Sequence, residues 1–224
     1  MDLGRAFTFM FDDEDGLGKV LIAVLISLAG IFILPLPILT GYMVAVARRV
    51  KQGDDSLPPW HDFVRYWLDG VVITVAMMVY TLPFWIVPGA LFIGALLTGG
   101  AGSQDLADTL LLGSMALSCL STLLWVVLSL LLGPVLTLMY IQEGRFAALF
   151  QVGRVMRFIR ACFPWLLQAL GIGLVLGFVI GVIGTVFGLI PCLGWLLMFA
   201  LTPYPVMVMG HVYGQIARQC PAEA

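Results

Sequence analysis

Long stretches without charged side chains alternate with shorter polar segments along this chain. No Asp, Glu, Lys or Arg lies within residues 20–47, 71–102, 109–142 or 161–217. Because about 20 apolar residues in a helix cross the ~30 Å hydrocarbon core of a bilayer, the pattern predicts an all-α membrane protein, a polytopic helical bundle. Residues 1–224 form a single integral membrane domain of about five membrane segments. Those segments are expected at 20–47, 71–97, 109–142, 164–190 and 195–217.

The first segment, residues 20–47, is longer than one span needs and carries Pro35 and Pro37 near its middle. It is either one kinked and tilted span, or a re-entrant hairpin of two half-length helices. The first alternative places the N-terminus outside the cell and the second places it inside. The sequence leaves both open.

The polar segments predict amphipathic helices that lie in the membrane interface. Residues 57–69 carry apolar side chains with helical spacing, at Trp60, Phe63, Val64, Trp67 and Leu68. Trp60 and Trp67 are expected at the level of the lipid headgroups, where amphipathic rings settle. Further interfacial helices are predicted at 145–163 and within 1–15, which gives two or three in all.

The distribution of Lys and Arg predicts the orientation. They concentrate in the segments 48–69 and 143–163 and are absent from 98–108 and 191–194, so the positive-inside rule places the two basic segments and the C-terminus in the cytoplasm. The protein is therefore expected to be a multi-pass protein of the cell membrane. Four arginines of the second segment either set this topology or bind anionic lipid headgroups, namely Arg145, Arg154, Arg157 and Arg160.

Composition excludes some partners. Hydrophobic residues make up 61% of the chain and charged residues 11%, against roughly 45–50% and about 25% in soluble domains. The net charge of −2 argues against nucleic acid as a partner, because nucleic-acid binding needs a basic surface. The partners expected are the lipid bilayer, anionic headgroups, and other membrane subunits or a second copy.

Five glycines form a stripe in the fourth segment, as a GxxxGxxxG pattern followed by a separate GxxxG. Small residues four apart let helix backbones approach closely in lipid. The stripe predicts packing within the chain, contact with another subunit, or a substrate groove. Its members are Gly173, Gly177, Gly181, Gly184 and Gly188.

Candidate chemistry is sparse. The sequence lacks GxxxxGK[ST], GxSxG, HExxH and GxGxxG motifs, so we expect no catalytic activity, no metal and no cofactor. His211 is a candidate ligand for a haem or chlorophyll-type pigment. Asp62, Arg65 and Asp69 share one helix face and suggest a surface ion-pair ladder of little energetic weight.

Four cysteines complete the inventory of reactive groups. They are expected to be apolar filler or unpaired thiols, with a disulfide or palmitoylation of Cys162 or Cys220 as the alternative. The other two are Cys119 and Cys192.

Several local patterns resemble the family known as domain of unknown function 4013, multispan proteins of bacteria and archaea. The N-terminal pattern is Phe9 to Asp13 followed by Lys19. The central pattern consists of Gly41-Tyr42, Arg48-Arg49, Gly53, the motif Leu57 to Asp62, and Asp69-Gly70. The third pattern consists of Tyr140, Glu143-Gly144 and Ala147-Ala148 through Arg157. The chain departs from the family at Asp15-Gly16-Leu17, where a Trp is usual. The resemblance implies the architecture and leaves the activity unassigned.

Three classes of function fit these observations. The first is a non-catalytic accessory or scaffold subunit, or a membrane organiser. The second is a carrier or channel for a neutral or lipidic molecule, because helices broken by proline often line transport paths. A pigment-binding subunit built on His211 is the third.

Overall fold

Helices account for the regular structure of this chain. The computed structural model describes residues 2–13, 15–29, 36–188, 190 and 193–220, and no strand occurs within these ranges. A 3-10 helix, Phe146–Phe150, precedes α6. In chain order the α-helices are α1 (Leu3–Asp12), α2 (Gly16–Ala29), α3 (Leu36–Gln52), α4 (Phe63–Gly100), α5 (Gln104–Glu143), α6 (Val152–Gly188), α7 (Leu193–Leu201) and α8 (Pro203–Gln219).

Four helical stretches in the described part of the chain are long and apolar enough to cross a membrane. They include the predicted segments 71–97, 109–142, most of 164–190, and 195–217 with a one-residue difference at its start. Pro83, Pro88, Pro134 and Pro164 lie inside these helices, as membrane helices tolerate. The stretches are Phe63–Gly100, Gln104–Glu143, Val152–Gly188 and Leu196–Gln219.

The interfacial helices predicted at 57–69 and 145–163 are not separate helices. Residues 57–62 are not helical, and α4 runs from Phe63 through the apolar stretch without a break. Likewise α6 starts at Val152 and continues past Pro164, because one proline removes one backbone hydrogen bond and kinks a helix without having to end it. The helix predicted within 1–15 is present as α1, and the Asp2 side chain caps it by accepting the Arg5 N–H at 3.0 Å.

The stretch 20–47 contains two helices rather than one. α2 ends at Ala29 and α3 begins at Leu36, while Pro35 lies outside the described residues. Lys19, near the start of α2, bonds the carbonyl of Leu57, beyond the end of α3, at 3.1 Å. The chain therefore returns to the level from which α2 starts, which is the geometry of a helical hairpin.

The most extensive helix pair joins α3 to α8. Residues 1–74 and 134–224 form one compact unit that contains this pair. A Cβ on Gly214 would lie 2.5 Å from Val50 Cβ and 2.7 Å from the Ala47 carbonyl oxygen, and one on Gly210 would lie 2.8 Å from the Met43 carbonyl oxygen. These glycines, which are four residues apart, let the two backbones meet.

Residues 75–133 form the second compact unit, made from parts of α4 and α5. Within it, the Ser114 hydroxyl donates to the Pro88 carbonyl at 3.2 Å, so the two helices are joined by a side-chain bond. Large side chains such as Leu97 (69% exposed) and Leu112 (68% exposed) point outward. An outward apolar surface of this kind suits contact with lipid.

Candidate functional site

The segment between α3 and α4 is held by charged side chains bonded to its backbone. The Leu57 N–H donates to Asp13 at 2.8 Å, and the Leu57 carbonyl accepts from Lys19 at 3.1 Å and from Arg49 at 2.9 Å. Lys19 also pairs with Asp13 at 2.8 Å. We call Asp13, Lys19, Arg49 and the segment 57–62 the loop clamp.

Aromatic side chains complete the loop clamp. The Tyr42 hydroxyl donates to the Pro58 carbonyl at 3.0 Å, and the Tyr66 hydroxyl donates to the Pro59 carbonyl at 2.7 Å. The Trp60 ring stacks on Tyr42, with centroids 4.0 Å apart and an interplanar angle of 4°. Carbonyl groups of this segment thus accept hydrogen bonds from side chains, and its two prolines have no N–H to donate. For these two reasons residues 57–62 form no helix.

The Trp60 side chain lies inside the protein, and its place at the level of the lipid headgroups stays a prediction. It is 7% exposed, and its indole Nε1 donates to the Lys19 carbonyl at 2.9 Å. Its polar atom is therefore satisfied inside the protein. Trp67 is 37% exposed and stays a prediction as a headgroup contact.

Asp13 supplies the carboxylate of the loop clamp, and its side chain is 6% exposed. Burial raises the pKa of this carboxyl, but the Lys19 ammonium and the N–H groups of Leu57 and Asp15 lower it more, so that its pKa lies below the ordinary value. Hydrogen bonds to the charged form favour ionisation. The loop clamp is thus built around an ionised carboxylate.

A second buried cluster joins α3, α4 and α5. The Asp69 carboxylate pairs with the Arg48 guanidinium and accepts the Tyr140 hydroxyl at 2.6 Å. The Arg48 guanidinium also lies 5.2 Å from the centroid of the Tyr140 ring. Asp69 is 7% exposed, so the expectation of a surface ladder with Asp62 and Arg65 was wrong; the carboxylate faces α3 instead of solvent.

Glycines permit the close helix approach around this cluster. A Cβ on Gly41 would overlap the Tyr66 carbonyl, and one on Gly70 would overlap the Pro37 carbonyl. Gly53 ends α3 with φ +99°, a backbone conformation that glycine adopts without strain. These glycines therefore have a structural role around the cluster of Arg48, Asp69 and Tyr140.

His211 lies in a polar setting. It is 1% exposed, its Nδ1 lies 3.0 Å from Gln215 Nε2, and its ring packs 4.6 Å from Phe9. The cavity beside it is lined by charged side chains, including Arg5 and Asp55. Walls of this kind do not suit an apolar pigment ring.

The glycine stripe on α6 packs only in part within the described residues. Gly173 lies against Met209 Cε at 3.7 Å, and Gly184 against Met198 Sδ at 2.7 Å. The Cβ positions of Gly177, Gly181 and Gly188 have no described atom within 4 Å. Among the described atoms, packing within the chain therefore accounts for Gly173 and Gly184 and not for the other three.

The four predicted headgroup arginines divide into two pairs. Arg154 bonds Glu143 at 2.7 Å, and Arg145 lies 3.8 Å from the same carboxylate. Arg157 and Arg160 are exposed, and neither has an ion-pair partner among the residues described. The second pair is free to meet lipid headgroups.

A disulfide joins Cys162 in α6 to Cys220 at the end of α8, with Cα atoms 5.9 Å apart. The expectation of unpaired thiols was therefore wrong for these two, which lie 58 positions apart in sequence. Cys119 is free and exposed, and Cys192 lies outside the described residues.

Sequence reasoning missed the loop clamp and the cluster of Arg48, Asp69 and Tyr140. The signal was present in the resemblance, because its quoted patterns contain Asp13, Lys19, Tyr42 and the motif 57–62. Among the described residues no group of three or more His, Cys, Asp or Glu could hold a metal. In the loop clamp, polar side chains hold the backbone of a loop by hydrogen bonds. Neither the loop clamp nor the cluster of Arg48, Asp69 and Tyr140 places a nucleophile beside a base.

Comparison with known families gives a match over most of the chain. The sequence model of a family described as Protein of unknown function (DUF4013) matches residues 24–192. No curated protein matches the chain, and no solved structure matches it.

Proposed function

The chain belongs to the family described as Protein of unknown function (DUF4013), and on this premise we propose that it is a non-catalytic accessory or scaffold subunit that organises other components of the cell membrane. The single observation that carries the proposal is the open glycine face of α6. Gly177, Gly181 and Gly188 leave the backbone accessible on a helix long enough to span the bilayer. Such a face fits the backbone of a second helix.

The polar groups support a structural role. Asp13, Lys19 and Arg49 hold a loop, while Arg48 and Asp69 hold one another. These charges pair with one another or bond backbone groups within the protein. An enzyme or a proton-coupled pump needs ionisable groups poised for exchange, and we therefore favour a scaffold.

The proposed topology has four spans and one hairpin. The α2–α3 hairpin enters from the cytoplasmic face and returns to it, which puts the N-terminus in the cytoplasm together with the basic segments and the C-terminus. Arg157 and Arg160 face the anionic inner leaflet, where each exposed cation contributes about 1 kcal/mol of attraction.

Native mass spectrometry after gentle extraction tests the scaffold role. We expect a stoichiometric complex with other membrane subunits or a homo-oligomer, and Gly181→Leu should release the protomer because its side chain fills the glycine face. Val179→Trp is the matched control, since it adds bulk two residues away, on the opposite side of α6, at a site 47% exposed.

Two outcomes would reject the scaffold role. One is a wild-type protein that is monomeric under the mildest extraction. The other is a complex that persists in Gly181→Leu at wild-type abundance, since the glycine face would then have no part in it.

An apolar groove favours a second candidate, a carrier of lipidic molecules. A cavity of about 770 Å³ lies between α1 and α6, and its lining residues include Leu3, Phe7, Gly171 and Ile172. Its size lies within the ~300–1,000 Å³ range of small-molecule sites. In reconstituted vesicles, transfer of a fluorescent lipid that Gly171→Trp abolishes would support a carrier, and no transfer above protein-free vesicles would reject it.

A further inference from the structure

A cavity of about 310 Å³ lies where α1, the segment after α3 and the end of α8 meet. Both of its carboxylates are already engaged. Asp55 Oδ2 accepts from Arg5 Nε at 2.6 Å, and Asp2 Oδ1 accepts from the Arg5 N–H at 3.0 Å. The Asp55 charge is therefore paired with a cation before any ligand enters, and the Asp2 carboxylate bonds a backbone N–H.

The hydrogen bonds of Gln215 fix the state of His211. Gln215 Oε1 accepts the Asp2 N–H at 2.8 Å, and Gln215 Nε2 donates to the Asp2 carbonyl at 2.9 Å. The second hydrogen of that amide points to His211 Nδ1 at 3.0 Å. His211 Nδ1 is thus the acceptor, and in the neutral ring the proton lies on Nε2.

This Nε2–H is a donor without a partner. It is buried and makes no hydrogen bond among the described atoms, and Asp55 Oδ1 lies 3.5 Å away. Leaving a buried donor unpaired is unfavourable. His211 is 1% exposed, so this donor is satisfied either by a small shift of the Asp55 carboxylate or by an occupant of the cavity.

Arg218 supplies the charge. Its side chain lines the same cavity, and no carboxylate in the described ranges pairs with it, whereas Arg5 is held by Asp55. The cavity therefore offers two donors that no described protein group accepts, the guanidinium of Arg218, which is exposed, and the imidazole N–H of His211. Arginine recognises phosphate oxygens by paired hydrogen bonds, and the volume far exceeds the ~30 Å³ of one water.

We propose that this cavity binds a phosphate group, with Arg218 and the Nε2–H of His211 donating to its oxygens. The phosphate belongs either to a phospholipid headgroup of the cytoplasmic leaflet or to a small soluble phosphate. The site is independent of the scaffold role, because none of its residues lies on the glycine face of α6.

The test uses the full chain purified in detergent. Inorganic phosphate is titrated by calorimetry, and lipid retention is measured by native mass spectrometry with phosphatidic acid against diacylglycerol, which lacks the phosphate. Arg218→Gln is the test variant, and Arg157→Gln is the control because it removes the same charge from an exposed site on α6. His211→Phe removes the donor and keeps a ring against Phe9; should it fail to fold, Arg218→Gln alone decides.

Two results support the site and identify the source. Saturable binding of inorganic phosphate that weakens about tenfold in Arg218→Gln and not in Arg157→Gln points to a soluble phosphate. Retention of phosphatidic acid but not diacylglycerol, lost in Arg218→Gln alone, points to a lipid headgroup. If the wild type retains neither probe, or if both arginine variants lose binding equally, the proposal is overturned and the cavity holds water only.

Discussion

Leu57 shows how single residues stabilise this protein through their backbone. Its N–H and carbonyl bond Asp13, Lys19 and Arg49, so the polar groups of a loop beside the membrane depend on side chains rather than on water. A buried backbone group without a partner is unfavourable. The charged residues that define the loop clamp are therefore stability determinants.

Replacing Asp13 by Asn should destabilise the protein at neutral pH by about 1–3 kcal/mol, because buried donors lose a charged acceptor. The pKa of Asp13 is lowered in the folded state, and the unfolded value is about 3.9. Its contribution is therefore complete above pH ~4 and is lost as the pH falls through the folded value. The difference between the free energies of unfolding of wild type and variant, measured by denaturant titration from pH ~7 downward, should be constant above pH ~4 and shrink below it.

Asp12→Asn is the control, because Asp12 is the exposed neighbour of Asp13 at the end of α1. It should leave stability within about 0.5 kcal/mol of wild type. Equal losses in the two variants would show that the loop clamp does not depend on the Asp13 carboxylate.

Glycine spacing has two different roles at the level of helices. Gly210 and Gly214 are four apart, as are Gly177 and Gly181. The first pair lets α8 pack against α3, whereas the second has no described neighbour. Spacing alone predicts a face suited to close approach; it does not say whether the partner helix belongs to the same chain.

The matched pair Gly214→Ala and Gly177→Ala separates the two roles. A methyl at Gly214 would lie 2.5 Å from Val50 Cβ, so we expect a loss of about 1–3 kcal/mol from overpacking. At Gly177, alanine should be neutral or stabilising by up to ~1 kcal/mol, because alanine favours helix. Thermal unfolding followed by circular dichroism measures both, and a similar melting temperature for the two variants would argue against the α3–α8 contact.

At the scale of the whole molecule, the sequence predicted those parts of the fold that depend on the residues of one continuous stretch. Charge-free stretches predicted α4, α5 and α6, because length and hydropathy decide whether a helix can span a bilayer. The loop clamp was not predictable in this way, since the bond from Leu57 to Asp13 joins positions 44 apart, and that from Asp2 to Gln215 joins positions 213 apart. One sequence carries no record of such pairings.

Two cues about orientation conflict. The positive-inside rule places the end of α8 in the cytoplasm, where disulfides are rarely maintained, yet Cys220 is joined to Cys162. Burial reconciles the two, because Cys162 is 0% and Cys220 is 3% exposed, which limits access of a reductant.

Cysteine labelling in intact cells decides the orientation. With Cys119 and Cys192 replaced by serine, Ser103→Cys should react with an impermeant maleimide from outside, and Ser56→Cys should react only after permeabilisation. The reverse pattern would place the basic segments and the disulfide outside and would overturn the proposed topology.

The α3–α8 pair also has a consequence for biosynthesis. α3 ends at Gln52 and α8 begins at Pro203, so the ribosome must add about 150 residues before α3 meets its main partner. At ~5–20 residues per second this takes about 8–30 s. Throughout that interval Val46 and Val50, fully buried in the finished protein, lack the cover of α8. The nascent α2–α3 hairpin must therefore be sheltered by the insertion machinery or by lipid until α8 has been synthesised.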